Sequence, residues 1–168
     1  NKIFNKTFIA AINVISSCRG KIIFSGQGKS GLIARKISAT FSSVGIPSFF
    51  IHPSETSHGD SGAIEKKDVL IIISYSGNTS ELTSILKYAN RFGIKIIGCA
   101  SKKDSMLLKA SDIKILLPKV READPLGMVP SSSTSISLLY FDTLCIALMN
   151  KMKFSKEKFK IFHSGGNI

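Results

Sequence analysis

Short runs of β-branched and apolar residues alternate along the chain with stretches whose apolar positions recur every three or four residues. The first pattern is typical of strands buried on both faces, and the second is typical of helices that pack on a sheet. The runs predict strands at residues 21–25, 48–51, 69–75, 95–100 and 113–117. The helical periodicity predicts helices at residues 4–18, 30–44, 79–92, 103–110 and 132–151. This order predicts one three-layer, doubly wound α/β domain over residues 1–168, of the flavodoxin or Rossmann kind, with a five-stranded parallel sheet and right-handed crossovers.

The segments that follow the predicted strands are rich in glycine, hydroxyl-bearing and charged residues. They read SGQGKSG, HPSETSHGD, SYSGNTSE, ASKKDS and PKVREADPLGMVPSSSTS. In an open parallel sheet, ligands bind beyond the carboxyl ends of the strands. Turns that only reverse the chain do not need so many hydroxyl groups, so we expect the binding site at this edge of the sheet.

The first of these turns contains G-x-G-x-x-G at Gly26, Gly28 and Gly31, with Lys29 inside it. A nucleotide P-loop requires G-x-x-x-x-G-K-[ST], and its first glycine would fall at Ile23, so that motif is absent. A dinucleotide site requires an acidic residue at the end of the second strand. Here the strand ends at His52-Pro53, and Glu55 lies beyond the proline, so the required residue is missing. The turn therefore indicates a phosphate site of another kind.

The third turn, SYSGNTSE, places the side chains of Ser74, Ser76, Asn78 and Thr79 at the start of a predicted helix. Backbone N–H groups at a helix N-terminus bind anions, and nearby hydroxyl groups add short hydrogen bonds. The alternative is helix capping, with Asn78 or Thr79 as the N-cap residue. A second cluster, PSSSTS at residues 130–135, also opens a helix. Together the two clusters predict one small phosphorylated ligand held between two helix N-termini.

The net charge is +12, from 23 basic and 11 acidic residues. The charges are mostly scattered, and the one cluster is KMKFSKEKFK at residues 151–160. Phenylalanines interleave with these lysines, which favours a solvated amphipathic helix with an apolar inner face over nucleic-acid binding. We expect no nucleic-acid partner, while a positive surface suits small anionic substrates.

Three cysteines, Cys18, Cys99 and Cys145, stand far apart and form no C-x-x-C pair. This pattern favours buried, reduced thiols in a cytoplasmic protein over a zinc ribbon or redox motif. No apolar run approaches the roughly 18 residues that a membrane span needs, and the start shows no signal-peptide pattern. We therefore expect a cytoplasmic location and no membrane partner.

The polar turns resemble motifs of the sugar isomerase (SIS) domain family, and within it those of the arabinose-5-phosphate isomerases. The family's G-x-G-K-S-G is GQGKSG here, and its F-F-x-H-P-x-E-x-x-H-G-D is FFIHPSETSHGD. Its S-x-S-G-x-[ST]-x-E is SYSGNTSE, and its K-E-x-x-P-L-G-x-x-P-[ST]-S-S-T is READPLGMVPSSST. The terminal H-P-G-G is HSGG, at residues 163–166. Five motifs in order, over nearly the whole chain, make the resemblance specific for the subfamily.

The chain departs from the family pattern at three positions. Ser164 replaces the proline of H-P-G-G, Tyr75 stands where the family often has Asn, and Arg121 replaces a usual Lys. Many family members continue into a pair of CBS domains. We expect one SIS domain over residues 1–168 without that regulatory pair.

The resemblance implies an aldose–ketose isomerase that interconverts D-arabinose 5-phosphate and D-ribulose 5-phosphate and supplies the lipopolysaccharide sugar acid Kdo. This reaction opens a furanose ring, takes a proton from the carbon beside the carbonyl and stabilises the resulting enediolate. It requires no redox cofactor, and we expect none. The catalytic residues that the resemblance implies are Lys29, Glu81, Glu122 and His163.

Glu122 is the expected base, because burial of its loop would raise its pKa toward neutrality, and Glu81 is its rival. Lys29 is expected to neutralise the enediolate or the phosphate, since a cation at a helix N-terminus needs an anionic partner. His163 is expected to open the ring or to move protons between O1 and O2. In the SIS family active sites lie at subunit interfaces, so His163 is expected to be able to serve a neighbouring subunit.

The expected substrate- and phosphate-binding residues come from all the polar turns. They are Gly28, Ser30, His58, Ser74, Ser76, Asn78, Thr79, Ser131, Ser132, Ser133 and Thr134. One histidine among loosely spaced carboxylates, His58 beside Asp60, is a poor metal signature. We therefore expect no required metal, with His58 as the candidate ligand if an adventitious ion binds.

The resemblance also implies a homotetramer, and helices 4–18 and 132–151 are apolar enough to pack between subunits. Two alternatives remain open at this point. The chain could be a non-catalytic SIS module that binds a sugar phosphate and regulates, or an SIS isomerase of another ketose phosphate. A regulatory module would keep the Ser/Thr clusters but would not need Lys29, Glu81, Glu122 and His163 together.

Overall fold

The computed structural model describes residues 3–163 and 165. It contains five strands: β1 Ile22–Ser25, β2 Ser48–Ile51, β3 Val69–Ile73, β4 Lys95–Ala100 and β5 Ile113–Leu116. It contains six α-helices in the described residues: α1 Lys6–Ser16, α2 Gly28–Ser43, α3 Leu82–Phe92, α4 Met106–Ala110, α5 Ser132–Lys151 and α6 Lys156–Phe162. Two short 3-10 turns, Glu55–His58 and Asp60–Ala63, lie between β2 and β3.

The five strands form one parallel sheet in the order β2-β1-β3-β4-β5. Every residue of β3 is buried, as its unbroken run of aliphatic side chains predicts for a strand covered on both faces. The chain moves from β1 to β2 on one side and then crosses back to β3 on the other side of β1. The order therefore reverses between β1 and β3, and a ligand crevice is expected at their carboxyl ends. The predicted fold class is confirmed.

Helices cover both faces of the sheet. On one face α1, α2 and α5 pack together, and Phe24 of β1 contacts Phe41 and Phe141 with ring centroids 5.1 and 6.2 Å apart. On the other face, α3 and α4 cover a second cluster built around Leu70, Ile72 and their neighbours. Burying each of these large apolar side chains contributes about 1.5–3 kcal/mol to stability. The two clusters thus stabilise the sheet and helices from which the loops at the carboxyl edge extend.

Several predicted helix boundaries are wrong by two or three residues. The helix α2 begins at Gly28 instead of residue 30, so Lys29 and Ser30 lie in its first turn. The helix α3 begins at Leu82, because residues 79–81 form a turn that precedes it. The lysine-rich segment is not one helix over residues 151–160, since α5 ends at Lys151 and Lys153 adopts a left-handed conformation (φ 49°) before α6 begins.

The sequence has no unbroken apolar run of about 18 residues, but a helix can be long and apolar enough for a membrane span without one. By length and composition, α5 meets that requirement, and it is the one helix within the described residues that does. The core helix of a globular protein meets the same requirement. Phe141, Leu144 and Leu148 of α5 are fully buried in the cluster shared with α1 and α2, which places this helix in the core.

Candidate active site

A cavity of about 300 Å³ opens at the carboxyl ends of β1 and β3, beside the N-terminus of α5. Three loops meet there, as the reversal of strand order predicts. Its lining contains Gln27, Lys29, Ser30, Ile33, Tyr75, Ser76, Glu122, Pro130, Ser133, Thr134 and Ser137. The structure thus brings together six of the predicted site residues: Lys29, Ser30, Ser76, Glu122, Ser133 and Thr134.

Glu122 is bound to the N-terminus of α5. Its Oε2 accepts hydrogen bonds from the backbone N–H groups of Ser131 (2.8 Å) and Ser133 (3.1 Å) and from the Ser131 hydroxyl (3.3 Å). Hydrogen bonding from the Ser133 side chain, and then from the Ser131 amide, lowers the pKa of Glu122 to about 2. The expectation that burial raises this pKa is therefore wrong, because stabilising hydrogen bonds outweigh desolvation.

The hydroxyl group of Ser131 also accepts a hydrogen bond from the Ala123 amide, at 2.9 Å. Ser131 therefore helps to hold the loop at Glu122 and at Ala123. Ser132, the first residue of α5, is half-buried and does not line the cavity. Of the predicted PSSSTS cluster, Pro130, Ser133 and Thr134 line the cavity, and the Thr134 hydroxyl donates a hydrogen bond to the Ser131 carbonyl oxygen at 2.8 Å.

Lys29 projects from the first turn of α2, next to Gly28, which has a left-handed backbone (φ 57°). Its side chain is exposed, and in the part of the chain that the structure describes no hydrogen bond or ion pair engages its ammonium group. An unpaired cation beside a cavity at a helix N-terminus is suited to an anionic ligand.

The turn after β3 is organised by its own hydroxyl groups. Ser74 is buried, and its Oγ lies 2.9 Å from Thr79 Oγ1 and accepts a hydrogen bond from the Gly77 amide at 3.1 Å. Ser76 is exposed at the cavity, where its Oγ accepts a weak bond from the Asn78 amide at 3.3 Å. Ser76 is thus free to turn toward a ligand, while Ser74 and Thr79 fix the shape of the turn.

One interpretation of the sequence predicted that Asn78 caps α3, but Asn78 is not the N-cap residue of that helix. Its Oδ1 accepts a hydrogen bond from the Met106 amide at 2.9 Å, and so caps the start of α4 together with Ser105, the N-cap residue of that helix. The N-cap residue of α3 is Glu81, whose backbone is already helical. The prediction failed because the acceptor of Asn78 finds a donor 28 residues away, which local spacing does not reveal.

Glu81 does not line this cavity. Its Oε2 accepts a hydrogen bond from the Ser80 hydroxyl at 2.8 Å. Its own backbone amide, then Ser80 and, more weakly, the charge of His52 lower its pKa. The two predicted rivals for the base therefore sit in different surroundings, and Glu122 shares a cavity with Lys29 whereas Glu81 does not.

His163 lies far from this cavity in the same chain. Its Nδ1 is 2.9 Å from the Phe159 carbonyl oxygen, and its ring stacks on Phe159 with centroids 3.8 Å apart. The helix α6 packs against Gly45, which precedes β2 at the amino end of the sheet. The predicted site residues Lys29 and His163 are thus at opposite ends of the strands. Ser164 and Gly166 of the HSGG motif lie outside the described residues.

His58 and Asp60 are exposed in the two 3-10 turns and do not line this cavity. Among residues 3–163 and 165, no group of three or more His, Cys, Asp or Glu side chains is placed to hold a metal ion. The structure therefore offers no candidate metal centre within that part of the chain.

A second cavity of about 340 Å³ lies on the other side of Lys29, between α2 and β2. Its lining includes Arg35, whose guanidinium carbon is 4.7 Å above the Phe50 ring, and His52 at the end of β2. Gln27 lines both cavities, and its Oε1 is buried without a described hydrogen-bond partner.

Sequence reasoning missed four residues at this edge: Gln27, Arg35, His52 and Tyr75. The position of His52 at the carboxyl end of a predicted strand was a usable signal. So was the position of Tyr75, between two serines of the third turn. No local pattern marks Arg35, which reaches the second cavity only because α2 crosses the end of β2.

Proteins of similar sequence and structure share this architecture. Residues 15–147 match the model of the SIS domain family. The chain is 40% identical over 164 residues to the arabinose 5-phosphate isomerase KdsD of Escherichia coli, covering 98% of this chain and 50% of that protein. KdsD of Pseudomonas aeruginosa is 40% identical over 161 residues, covering 96% of this chain and 49% of that protein. The chain spans about half the length of the curated relatives it matches.

A solved structure of the Escherichia coli CFT073 protein c3406, in complex with arabinose 5-phosphate, superposes with a TM-score of 0.91. It is 39% identical in sequence, and the match covers 96% of this chain and 88% of that one. The family match spans most of the chain and coincides with the five-stranded sheet and its carboxyl-edge cavity. The chain therefore belongs to the SIS domain family.

Proposed function

We propose that this domain interconverts D-arabinose 5-phosphate and D-ribulose 5-phosphate. The observation that carries the proposal is the cavity that Lys29 and Glu122 line together with Ser76, Ser133 and Thr134. The KdsD relatives and the arabinose 5-phosphate complex of c3406 support this choice of substrate. The proposal includes a role in a cytoplasmic route to Kdo for lipopolysaccharide, which follows from the resemblance alone.

The turn after β3 is the proposed phosphate site. Ser76 is exposed there, and the amides of the turn lie beside the N-terminus of α3. Hydroxyl groups and backbone N–H groups bind phosphate oxygens well. The exposed ammonium group of Lys29 would add charge neutralisation, and the net charge of +12 would favour the approach of an anionic sugar.

Glu122 is the proposed base for the proton on C2, but its hydrogen bonds to the end of α5 make it a weak base. With a pKa of about 2, its carboxylate holds a proton poorly. Substrate oxygens that accept hydrogen bonds from Ser131 and Ser133 would compete with the carboxylate for the end of α5. Loss of those bonds would raise the pKa of Glu122 when substrate is present, which suits a general base.

Lys29 is the proposed electrophile for the enediolate oxygen, since it lies in the same cavity as Glu122 and is engaged by no described residue. His163 would have to come from a neighbouring subunit, because its own chain holds it at the amino end of the sheet. We therefore propose a homotetramer whose active sites lie between subunits. Exposed apolar residues on the outer faces of α1 and α5 support it, including Ile9, Leu139 (64% exposed) and Ile146 (58%).

The first experiment is proton NMR of D-arabinose 5-phosphate in D₂O with the purified protein. We expect signals of ribulose 5-phosphate that carries deuterium at C1, and deuterium at C2 of arabinose 5-phosphate as the reaction reverses, because the base exchanges the abstracted proton with solvent. Shifted or broadened sugar signals without conversion would contradict the isomerase and favour a regulatory SIS module. Conversion of a larger ketose phosphate, with arabinose 5-phosphate unchanged, would retain the reaction class and replace the substrate.

A further inference from the structure

Tyr75 contacts the loop that carries Glu122. Its hydroxyl group donates a hydrogen bond to the Pro118 carbonyl oxygen (3.1 Å) and accepts one from the Val120 amide (2.7 Å). These two backbone groups are 43 and 45 residues from Tyr75 in sequence and lie just before Glu122. One side chain thus joins the turn after β3 to the start of the loop between β5 and α5.

The backbone of Tyr75 is held independently of this hydroxyl group. Its carbonyl oxygen accepts hydrogen bonds from the Ser101 amide and the Ser101 hydroxyl, both at 2.8 Å. The turn that carries Ser74 and Ser76 is therefore fixed from β4. Removing the phenolic oxygen should leave the proposed phosphate site in place.

The loop of residues 118–131 has few other attachments near the cavity. The last sheet-like bond before it runs from the Leu117 amide to the Ala100 carbonyl oxygen, at 2.9 Å. The far part of the loop is exposed, with Leu126 at 79% and Met128 at 74%. Between Leu117 and the bonds of Glu122 to α5, the Tyr75 hydroxyl is therefore what fixes the direction of the chain.

We propose that Tyr75 is a positioning residue, whose hydroxyl group holds residues 118–120 so that the carboxylate of Glu122 enters the cavity beside Lys29. This inference rests on the proposed function only in giving Glu122 a catalytic role. The contact itself can be tested without turnover. A base displaced by about 1 Å can lose about 100-fold in rate, so a single hydroxyl group has a large expected effect.

The test compares Tyr75→Phe with a matched variant, Tyr88→Phe. The Tyr88 hydroxyl donates to the Ile64 carbonyl oxygen at 3.3 Å, on the face of the sheet covered by α3, and lines neither cavity. Two quantities are measured for each protein: amide hydrogen exchange at residues 118–131, resolved by NMR, and the steady-state isomerisation of arabinose 5-phosphate.

We expect Tyr75→Phe to speed exchange at Val120 by about five- to tenfold, because that amide loses its acceptor. Its kcat should fall about 10- to 100-fold while KM changes by less than about threefold, since the phosphate turn is unchanged. The Tyr88→Phe protein should match the wild type in both measurements.

Wild-type exchange at residues 118–131 in Tyr75→Phe would overturn the inference, and so would a wild-type kcat. An equal loss of kcat in both variants would show a general loss of stability and would also overturn it. If the wild-type protein does not isomerise arabinose 5-phosphate, the proposed function fails. The exchange measurement then still decides whether Tyr75 holds the loop.

Discussion

At Glu122, one carboxylate oxygen accepts hydrogen bonds from two amides and one hydroxyl group at the end of α5. The sequence could predict that a carboxylate stands in this loop, because R-E-x-x-P-L-G is recognisable. It could not predict the bonds, since they join residues 122 and 131–133 across a loop whose path is set by Asp124. That side chain accepts hydrogen bonds from the amides of Leu126, Met128 and Val129.

Replacing Glu122 by Gln should lower the turnover of arabinose 5-phosphate by about 100-fold or more, with substrate binding largely intact. The amide oxygen of Gln can still accept the bonds from α5, so the loop should keep its shape. Glu81→Gln is the matched variant, and it should lose much less because Glu81 lines neither cavity. Steady-state kinetics and ligand titration by NMR measure both effects. Near-normal turnover in Glu122→Gln would remove Glu122 from the role of base.

The lowered pKa of Glu122 also predicts how stability depends on pH. The pKa is about 2 in the folded protein and near 4.5 in the unfolded chain, so the unfolded state binds the proton more tightly. The contribution of Glu122 to the free energy of unfolding is therefore complete above pH 4.5 and is lost as the pH falls toward 2. Urea unfolding between these pH values measures this effect. As the pH falls, the free energy of unfolding should decrease less in Glu122→Gln than in the wild type. Glu55→Gln, which removes an exposed carboxylate, serves as the control. If the free energy of unfolding depends on pH equally in all three proteins, the lowered pKa of Glu122 is contradicted.

At the scale of elements, the strands were predicted almost residue for residue, because short runs of apolar residues, β-branched or aromatic, stand between polar and glycine-rich turns. Strands β2 and β4 match their predicted ranges, residues 48–51 and 95–100. The helix starts at the carboxyl edge were less predictable. Gly28 opens α2 in a left-handed conformation, and Asn78 caps α4 instead of α3. Such turns are shaped by contacts between loops, which periodicity does not encode.

Gly77 has a left-handed backbone (φ 68°) at the centre of the turn after β3. A Cβ atom there would collide with Ser105 and would lie 2.9 Å from the Ala100 Cβ. We expect Gly77→Ala to lower the free energy of unfolding by about 1–3 kcal/mol and to weaken phosphate binding, because both the backbone strain and the overlap displace the turn.

Chemical unfolding and phosphate titration measure the two effects of Gly77→Ala. Gly62→Ala is the matched control, since a Cβ atom at Gly62 meets no neighbouring atom within 4 Å and that glycine lies in an exposed 3-10 turn. Equal stability of the two variants would mean that the turn adapts to a side chain.

For the whole molecule, the fold and the family could be read from the sequence, but the distance between His163 and the cavity could not. Position in the sequence says nothing about which end of the sheet a C-terminal helix reaches. Here α5 runs about 30 Å along the sheet, and Phe162 of α6 then packs beside Gly45. The geometry of one chain thus separates residues that the motifs suggested would act together.

If sites are shared between subunits, two inactive variants should complement each other. A mixed oligomer of Glu122→Gln and His163→Ala chains contains sites in which the intact Glu122 of one chain meets the intact His163 of another. Random mixing should restore up to about a quarter of the wild-type rate, because each intact residue comes from half of the chains. Activity is measured after co-refolding, with mixed oligomers verified by mass spectrometry. Mixed oligomers without activity would contradict a shared site.

The capping of α4 by the turn after β3 has a consequence for how that part of the chain folds. With five residues, α4 is too short to form alone in water, and its first amides depend on Asn78 Oδ1 and the Gly77 carbonyl oxygen, both at 2.9 Å. The start of α4 is therefore tied to the turn after β3. Hydrogen exchange at the amides of Met106 and Leu107 should report whether that turn is intact, because both amides lose their acceptors if it opens.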